Sequence, residues 1–269
     1  MKMFNALTVH WDLLWNLTVR DLKIRYKGSM LGFCWTVLNP LFMAVIYVVF
    51  LRLLAGGRGV AVNNEEIIIG VFAWQFTVSC VNAGMGCVTG NVNLVKKVYF
   101  PRIILPLSVT LSNFVSFLLT LVVQWGLLAV LLHMKGSMMT WEWTLVPLLS
   151  LYQLLFSFAL ALLAASANVY FRDTQYLMGL ILSAWFFMSP VMYPLSFVNN
   201  VAASHPWVGQ VYMQNPMAII VTAYRALQLP GVEFPWSWAS VLGILWPVVL
   251  FVVALVVFQR SQRYFSDVL

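Results

Sequence analysis

Charge is scarce in this chain, and its placement limits the chemistry open to it. Four cations, Arg20, Lys23, Arg25 and Lys27, crowd into LTVRDLKIRYKG (17–28). Lys96, Lys97 and Arg102 follow in NVNLVKKVYFPR (91–102), and Arg172 in YFRDT (170–174). Cations grouped in this way attract anions, and beside apolar sequence the nearest anions are lipid headgroups, at about 1 kcal/mol per cation. No catalytic set accompanies them. Gly-Lys does not occur, so there is no GxxxxGK[ST] phosphate loop, and HExxH, GxSxG and CxxC are also missing. His10, His133 and His205 lie far apart. Cys34, Cys80 and Cys87 all fall in apolar runs and read as small buried hydrophobes. The expectation is a chain that binds no metal or cofactor and is not an enzyme.

The elements that must position these cations are membrane spans. Of 269 residues, 62% are hydrophobic and 9% charged, against roughly 25% charged in soluble domains. The net charge of +7 does not signal nucleic acid, because the cations flank apolar runs, where they orient a membrane protein. No secretory signal peptide is expected, since the first apolar run follows a mixed polar stretch and lacks a small-residue cleavage site. Uncharged runs cover 28–51, 67–95, 103–134, 143–171, 174–224 and 234–259. A crossing needs about 20 residues. Five runs suit one crossing each, and the 51 residues of 174–224 exceed one.

With the N-terminus inside and six crossings, eleven of the Lys and Arg residues fall inside. Arg52, Arg58, Lys135 and Arg225 fall outside. That bias obeys the positive-inside rule. A second crossing within 174–224 would put Arg260 and Arg263 outside, so this run crosses once, near 176–193. Its remainder is broken by Pro190, Pro194, Pro206 and Pro216. We expect a re-entrant pair of short helices at 195–205 and 216–228; a loop lying in the outer headgroups is the other reading.

The fold class expected is therefore an all-α integral membrane protein of one domain, 1–269. Residues 1–29 hold an amphipathic interface helix at about 8–25, anchored by Trp11 and Trp15. Residues 30–258 hold six spans, and 259–269 form an inner tail. Gly28 and Gly32 read as a small-residue pair entering the first span, Asn39-Pro40 as a kink within it, and 55–64 as an outer loop. Ser157, Ala161 and Ala165, four residues apart, form a ridge for close helix contact. No carboxylate falls in the middle of a span, where an ion-coupled carrier would hold its driving ion. A translocation path powered by another polypeptide fits better.

RDLKIRYKGSMLGFCWTVLNP (20–40), NLVKKVYFPRIILPLS (93–108), FRD (171–173) and SPVMYP (189–194) resemble the membrane subunit of ABC-2-type polysaccharide exporters. That family serves O-antigen, capsule and teichoic acid export. The resemblance covers nearly the whole chain. It implies six spans in the bacterial inner membrane with both termini cytoplasmic. It also implies a homodimer with two copies of a separate ABC ATPase that carries ATP and Mg, and a channel for an undecaprenyl-pyrophosphate-linked glycan. The helix at 8–25 and the loop 91–102, with Lys96, Lys97, Tyr99, Phe100 and Pro101, would dock on the ATPase. The segment after the fifth span would form outer gate helices.

On this resemblance, Arg20, Lys23, Arg25, Tyr26 and Lys27 become candidates for capturing the lipid pyrophosphate, since guanidinium forks match phosphate oxygens. Arg102 and Arg172 stand behind them, and topology alone is the competing reading. Sugars stack on aromatic faces, which makes Trp35, Trp74, Phe76, Trp185, Phe186 and Phe187 candidates for a glycan channel. Residues 185–187 cannot all face one way on a helix. Tyr99 and Phe100 are expected as an exposed pair needing a groove to cover them. The runner-up functions are a drug or small-lipid permease of the same class and, from a different class, a passive channel or scaffold.

Overall fold

The computed structural model describes residues 10–55, 63–138 and 140–269. The loop expected at 55–64 lies almost wholly outside the described residues, and Lys2 and Arg58 lie outside them too. The described chain is helical throughout. An N-terminal helix, α1 (Trp11–Tyr26), is followed by α2 (Cys34–Ala55), α3 (Asn64–Thr89) and a short α4 (Val92–Lys97). Next come α5 (Ile104–Met134), α6 (Val146–Tyr170), α7 (Thr174–Phe187), α8 (Leu195–Ser204), α9 (Pro206–Tyr212) and α10 (Pro216–Gln228). The chain closes with α11 (Trp238–Ser261) and one last turn, α12 (Phe265–Val268). Five of these helices are long and apolar enough to cross a membrane: α2, α3, α5, α6 and α11. The expected fifth crossing is a helix of only 14 residues, α7, about 21 Å long against a hydrocarbon core of about 30 Å. Pro190 and Pro194, whose rings lack a donor, keep the chain from continuing as one helix to 193.

Helix α3 is the centre of the bundle, with 72% of its most apolar stretch buried. Its neighbours include α2, α5, α6 and α10. The contact with α6 is close because both faces are small, as the ridge of Ser157, Ala161 and Ala165 anticipated. Thr77 Oγ1 meets Ser157 Oγ at 3.2 Å, and a Cβ placed on Gly84 would lie 2.7 Å from the Ala161 Cβ. Gln153 ties the same helices by donating to the Ala73 carbonyl at 2.7 Å and to Thr77 Oγ1 at 3.0 Å. At the other extreme α2 is 11% buried and leaves Phe42, Val45, Ile46, Val49 and Leu53 uncovered. An apolar face of that extent is stable against lipid or another apolar surface, not water.

Three local expectations change. Gly28 and Gly32 do not pack helices together: both have positive φ, 80° and 47°, and open space beside them. They form the turn that redirects the chain from α1 into α2, a backbone state glycine enters without steric cost. Cys34 is exposed at the start of α2, unlike the buried Cys80 and Cys87. Residues 91–102 contain the helix α4, and Phe100 is buried beside Val95 and Ile103, so Tyr99 alone of the aromatic pair is exposed.

The short helices after α7 match the expected bounds closely, with α9 as an addition. Asn215 caps α10, its Oδ1 accepting from the Met217 amide at 3.0 Å. The same side chain reaches α7: Oδ1 accepts from Trp185 Nε1 at 2.9 Å, and Nδ2 donates to the Met188 carbonyl at 3.0 Å. At the far end of α10 stands Arg225, 2% exposed. Its guanidinium donates to the carbonyls of Glu66, Tyr193, Pro190 and Val191. The Glu66 carboxylate lies 3.6 Å away. The bend at 188–193 is thus held at both ends of α10, and the Val191 carbonyl fills the space that Gly70 leaves on α3.

Two predictions follow from this packing, both read by thermal unfolding in detergent. Gly84→Ala drives a methyl into Ala161 and costs about 1–3 kcal/mol, whereas Gly86→Ala, beside open space, is neutral or stabilises by up to about 1 kcal/mol. Arg225→Met strands its buried carbonyl partners and the Glu66 carboxylate, and costs about 3–5 kcal/mol.

Candidate functional site

The described helix ends fall into two groups. At one end of the bundle, Arg52 donates to Asn64, Lys135 lies 2.9 Å from the Glu65 carboxylate, and Trp143 donates to the Gln228 carbonyl. At the other end, α1 lies against α5, burying Leu14 and Leu17 beside Ile104 and Leu105. Trp11 and Trp15 remain exposed on its free face. Arg20 holds Asp21 at 2.9 Å and donates to Asn91 at 3.2 Å, and Ser108 donates to Asp21 at 3.4 Å. Arg102 donates to the Gln262 carbonyl. Tyr170 donates to the Ser261 carbonyl at 3.1 Å, beside the buried Phe265.

The cations predicted to act together are therefore divided. Arg20 and Arg102 join helices to one another. Arg172 is exposed on the turn between α6 and α7, and Lys23, Arg25 and Lys27 are exposed near the C-terminal end of α1. Of these, Arg25 lines a cleft. The cleft measures about 340 Å³ and runs between α1, α2, α3 and α5; its walls include Tyr26, Ser29, Trp35 and Thr36. The Tyr26 hydroxyl shares a 2.6 Å hydrogen bond with Thr36 Oγ1 and a 3.2 Å one with Ser116 Oγ. Its ring meets Phe33 edge-on at 5.6 Å. Tyr26 thus fixes the end of α1 over α2 and α5 and holds Arg25 at the mouth of the cleft.

The aromatic candidates also separate. Trp35, 49% exposed, faces the cleft. Phe76 is buried and stacks on Phe117 at 4.5 Å, within the packing of α3 against α5. Trp185 is bonded to Asn215 and meets Trp74 edge-on at 5.9 Å. Trp74, Phe186 and Phe187 border a second groove of about 370 Å³ between α2, α3 and α7. As the helical geometry required, residues 185–187 diverge, Phe186 buried and Phe187 exposed.

Sequence reasoning missed the face that joins the two openings. Gln75 and Asn82 line both, and Ser79 and Asn113 line the first. Gln75, Ser79 and Asn82 stand at i, i+4 and i+7, one face of α3. The signal was present as three polar residues on one helical face of an apolar run. Neutral amides and hydroxyls stand out less in an apolar run than charges or aromatic rings do.

The surface around 96–99 is the other candidate. Lys96, Lys97, Val98 and Tyr99 are exposed, Pro101 is half-buried, and Tyr99 has no neighbour covering its ring, being 101% exposed. A basic patch on a short helix, followed by one fully presented aromatic, is suited to a protein partner. Among the described residues no His, Cys, Asp and Glu group could hold a metal ion.

Known proteins resemble the chain over nearly its whole length. The family model described as ABC-2 type transporter matches residues 12–229. The chain is 32% identical over 271 residues to the O-antigen export system permease protein RfbA of Myxococcus xanthus, covering 99% of each chain. It is 30% identical over 273 residues to a protein of the same name from Klebsiella pneumoniae, covering 100% of this chain and 99% of that one.

The Tyr26–Thr36 bond generates a test. In a double-mutant cycle of Tyr26→Phe and Thr36→Val, followed by thermal unfolding, the two losses are non-additive, with a coupling of about 1 kcal/mol. Strict additivity would mean that the hydroxyls do not hold α1 to α2.

Proposed function

The chain belongs to the ABC-2 type transporter family, and on that premise we propose that it is the permease subunit of an exporter for a lipid-linked polysaccharide, O-antigen ahead of capsule or teichoic acid. The observation that carries this reading is the polar cleft with Arg25 at its mouth, in a chain that contains no phosphate loop and no intramembrane carboxylate to power movement. The full-length likeness to O-antigen export permeases supplies the substrate class. Arg25, supported by Lys23 and Lys27, meets the lipid pyrophosphate, and the glycan passes along the cleft.

Six crossings fit this reading. The chain from α7 to 193 leaves the end where Tyr170 meets Ser261 and arrives at Gly70, Glu66 and Arg225. In this reading the short helix and the turns that follow it together make the fifth crossing. The positive-inside bias puts α1, α4 and the C-terminal turn in the cytoplasm of a bacterial inner membrane, with Glu66 and Arg225 outside. Helices α8 to α10 then form the outer gate. The uncovered face of α2 receives a second copy, which closes the cleft into a conduit. ATP and Mg belong to two partner ATPase subunits, which grip α1 and the 96–99 surface.

Reconstituting the chain with its ATPase and following surface O-antigen in cells tests the assignment. Arg25→Ala, or the pair Lys96→Glu and Lys97→Glu, reduces export at least tenfold while insertion in the membrane is unchanged. Normal export by both variants would refute the roles given to these residues.

A further inference from the structure

The face of α3 that joins the two openings has a chemistry of its own. Helix α3 is mostly buried, yet it leaves Gln75, Ser79 and Asn82 partly or fully open. These side chains make no hydrogen bond among the described residues. From Gln75 to Asn82 the face extends about 10 Å through the middle of a membrane-spanning helix, where an amide facing hydrocarbon is strongly disfavoured. Water or a polar cargo must satisfy it. Across the cleft, α5 contributes Asn113, which is 2% exposed. Its Nδ2 donates to the Val109 carbonyl at 2.7 Å, while its Oδ1 is buried with no partner. A buried acceptor left unpaired at the wall of a polar cleft marks a place for an incoming donor.

Resting on the functional reading above, we propose that Gln75, Ser79, Asn82 and Asn113 form a hydrogen-bonding rail that reads the hydroxyl groups of the glycan, separate from the headgroup site at Arg25. The rail is uncharged. Amides and hydroxyls both donate and accept, which suits a neutral polymer presenting hydroxyls of both roles. Bonds of this type are individually weak and repeat along the path, as a conduit requires if its cargo is to enter and also leave. The aromatic border at Trp74 and Phe187 lies along the same path, so sugar faces and sugar hydroxyls are met by different walls.

The test uses the complete complex with its ATPase in liposomes, and measures ATPase stimulation by two lipids: undecaprenyl pyrophosphate bearing the O-antigen glycan, and bare undecaprenyl pyrophosphate. In the double variant Gln75→Leu, Asn82→Leu, half-saturation by the glycan-bearing lipid weakens about tenfold and that by the bare lipid is unchanged. Asn82→Gln, which keeps the amide, retains the wild-type response. Arg25→Ala weakens both lipids alike. Neither Gln75 nor Asn82 makes a hydrogen bond that holds the fold, and leucine is tolerated in a membrane-spanning helix, so the double variant is expected to assemble. An unchanged response of the double variant to both lipids, or an equal loss for both, overturns the rail. A wild-type complex that ignores the glycan-bearing lipid overturns the functional reading and the rail with it.

Discussion

A guanidinium withdrawn from water sets the architecture at one end of this molecule. Arg225 satisfies its donors almost entirely with backbone carbonyls, those of Glu66 at the start of α3 and of Pro190, Val191 and Tyr193 after α7. Carbonyls exposed by a proline-broken bend need donors, and a buried cation needs acceptors. Each requirement answers the other. The Glu66 carboxylate at 3.6 Å balances the charge. With Asn215 at the opposite end of α10, this clamp determines where α7 stops. It thereby determines where Trp185, Phe186 and Phe187 lie relative to Trp74 on α3.

The same economy of polar groups explains the cleft. Thr77 and Thr89, which face α6, are paired, Thr77 with Ser157 and Gln153 and Thr89 with Asn168. On the face that borders the cleft and the groove, Gln75, Ser79 and Asn82 are left without hydrogen-bond partners among the described residues. The bundle is closely packed on the α6 side of α3, through Gly84 and Ala161, and polar and open on the α2 side. In the proposed reading that open side is the wet one. Helix α2 touches little else in the chain, so the wet side is also the side with the least to hold it shut.

How much of this could be read in the residues depended on the kind of signal. Long apolar runs bounded by charges located the five long helices, because the cost of burying charge in hydrocarbon is large and local. Prolines located α8 and α10, since a missing donor acts on its own helix; the cap at Asn215 emerged only from the structure. Arg25 and Tyr26 were legible as part of a dense cluster beside the first span. The role of Arg225 was not: it looked like an outer charge, because backbone carbonyls leave no mark in sequence. Phe100 looked exposed and is core, because only the short helix α4 turns it inward. The turn at Gly28 and Gly32 was misread for a related reason, as glycine serves close packing and positive φ equally well.

The partners of the Arg225 clamp are 159 residues apart in the chain. At a synthesis rate of about 5–20 residues per second, roughly 8 to 30 seconds separate the emergence of Glu66 from that of Arg225. Throughout that interval the start of α3 waits in the nascent chain without the guanidinium that pairs with Glu66, and the bend at 190–193 is made before its fastener. Assembly therefore cannot finish helix by helix in order of translation. The last third of the polypeptide returns to complete the first, so the emerging chain carries a half-built clamp until Arg225 has been made.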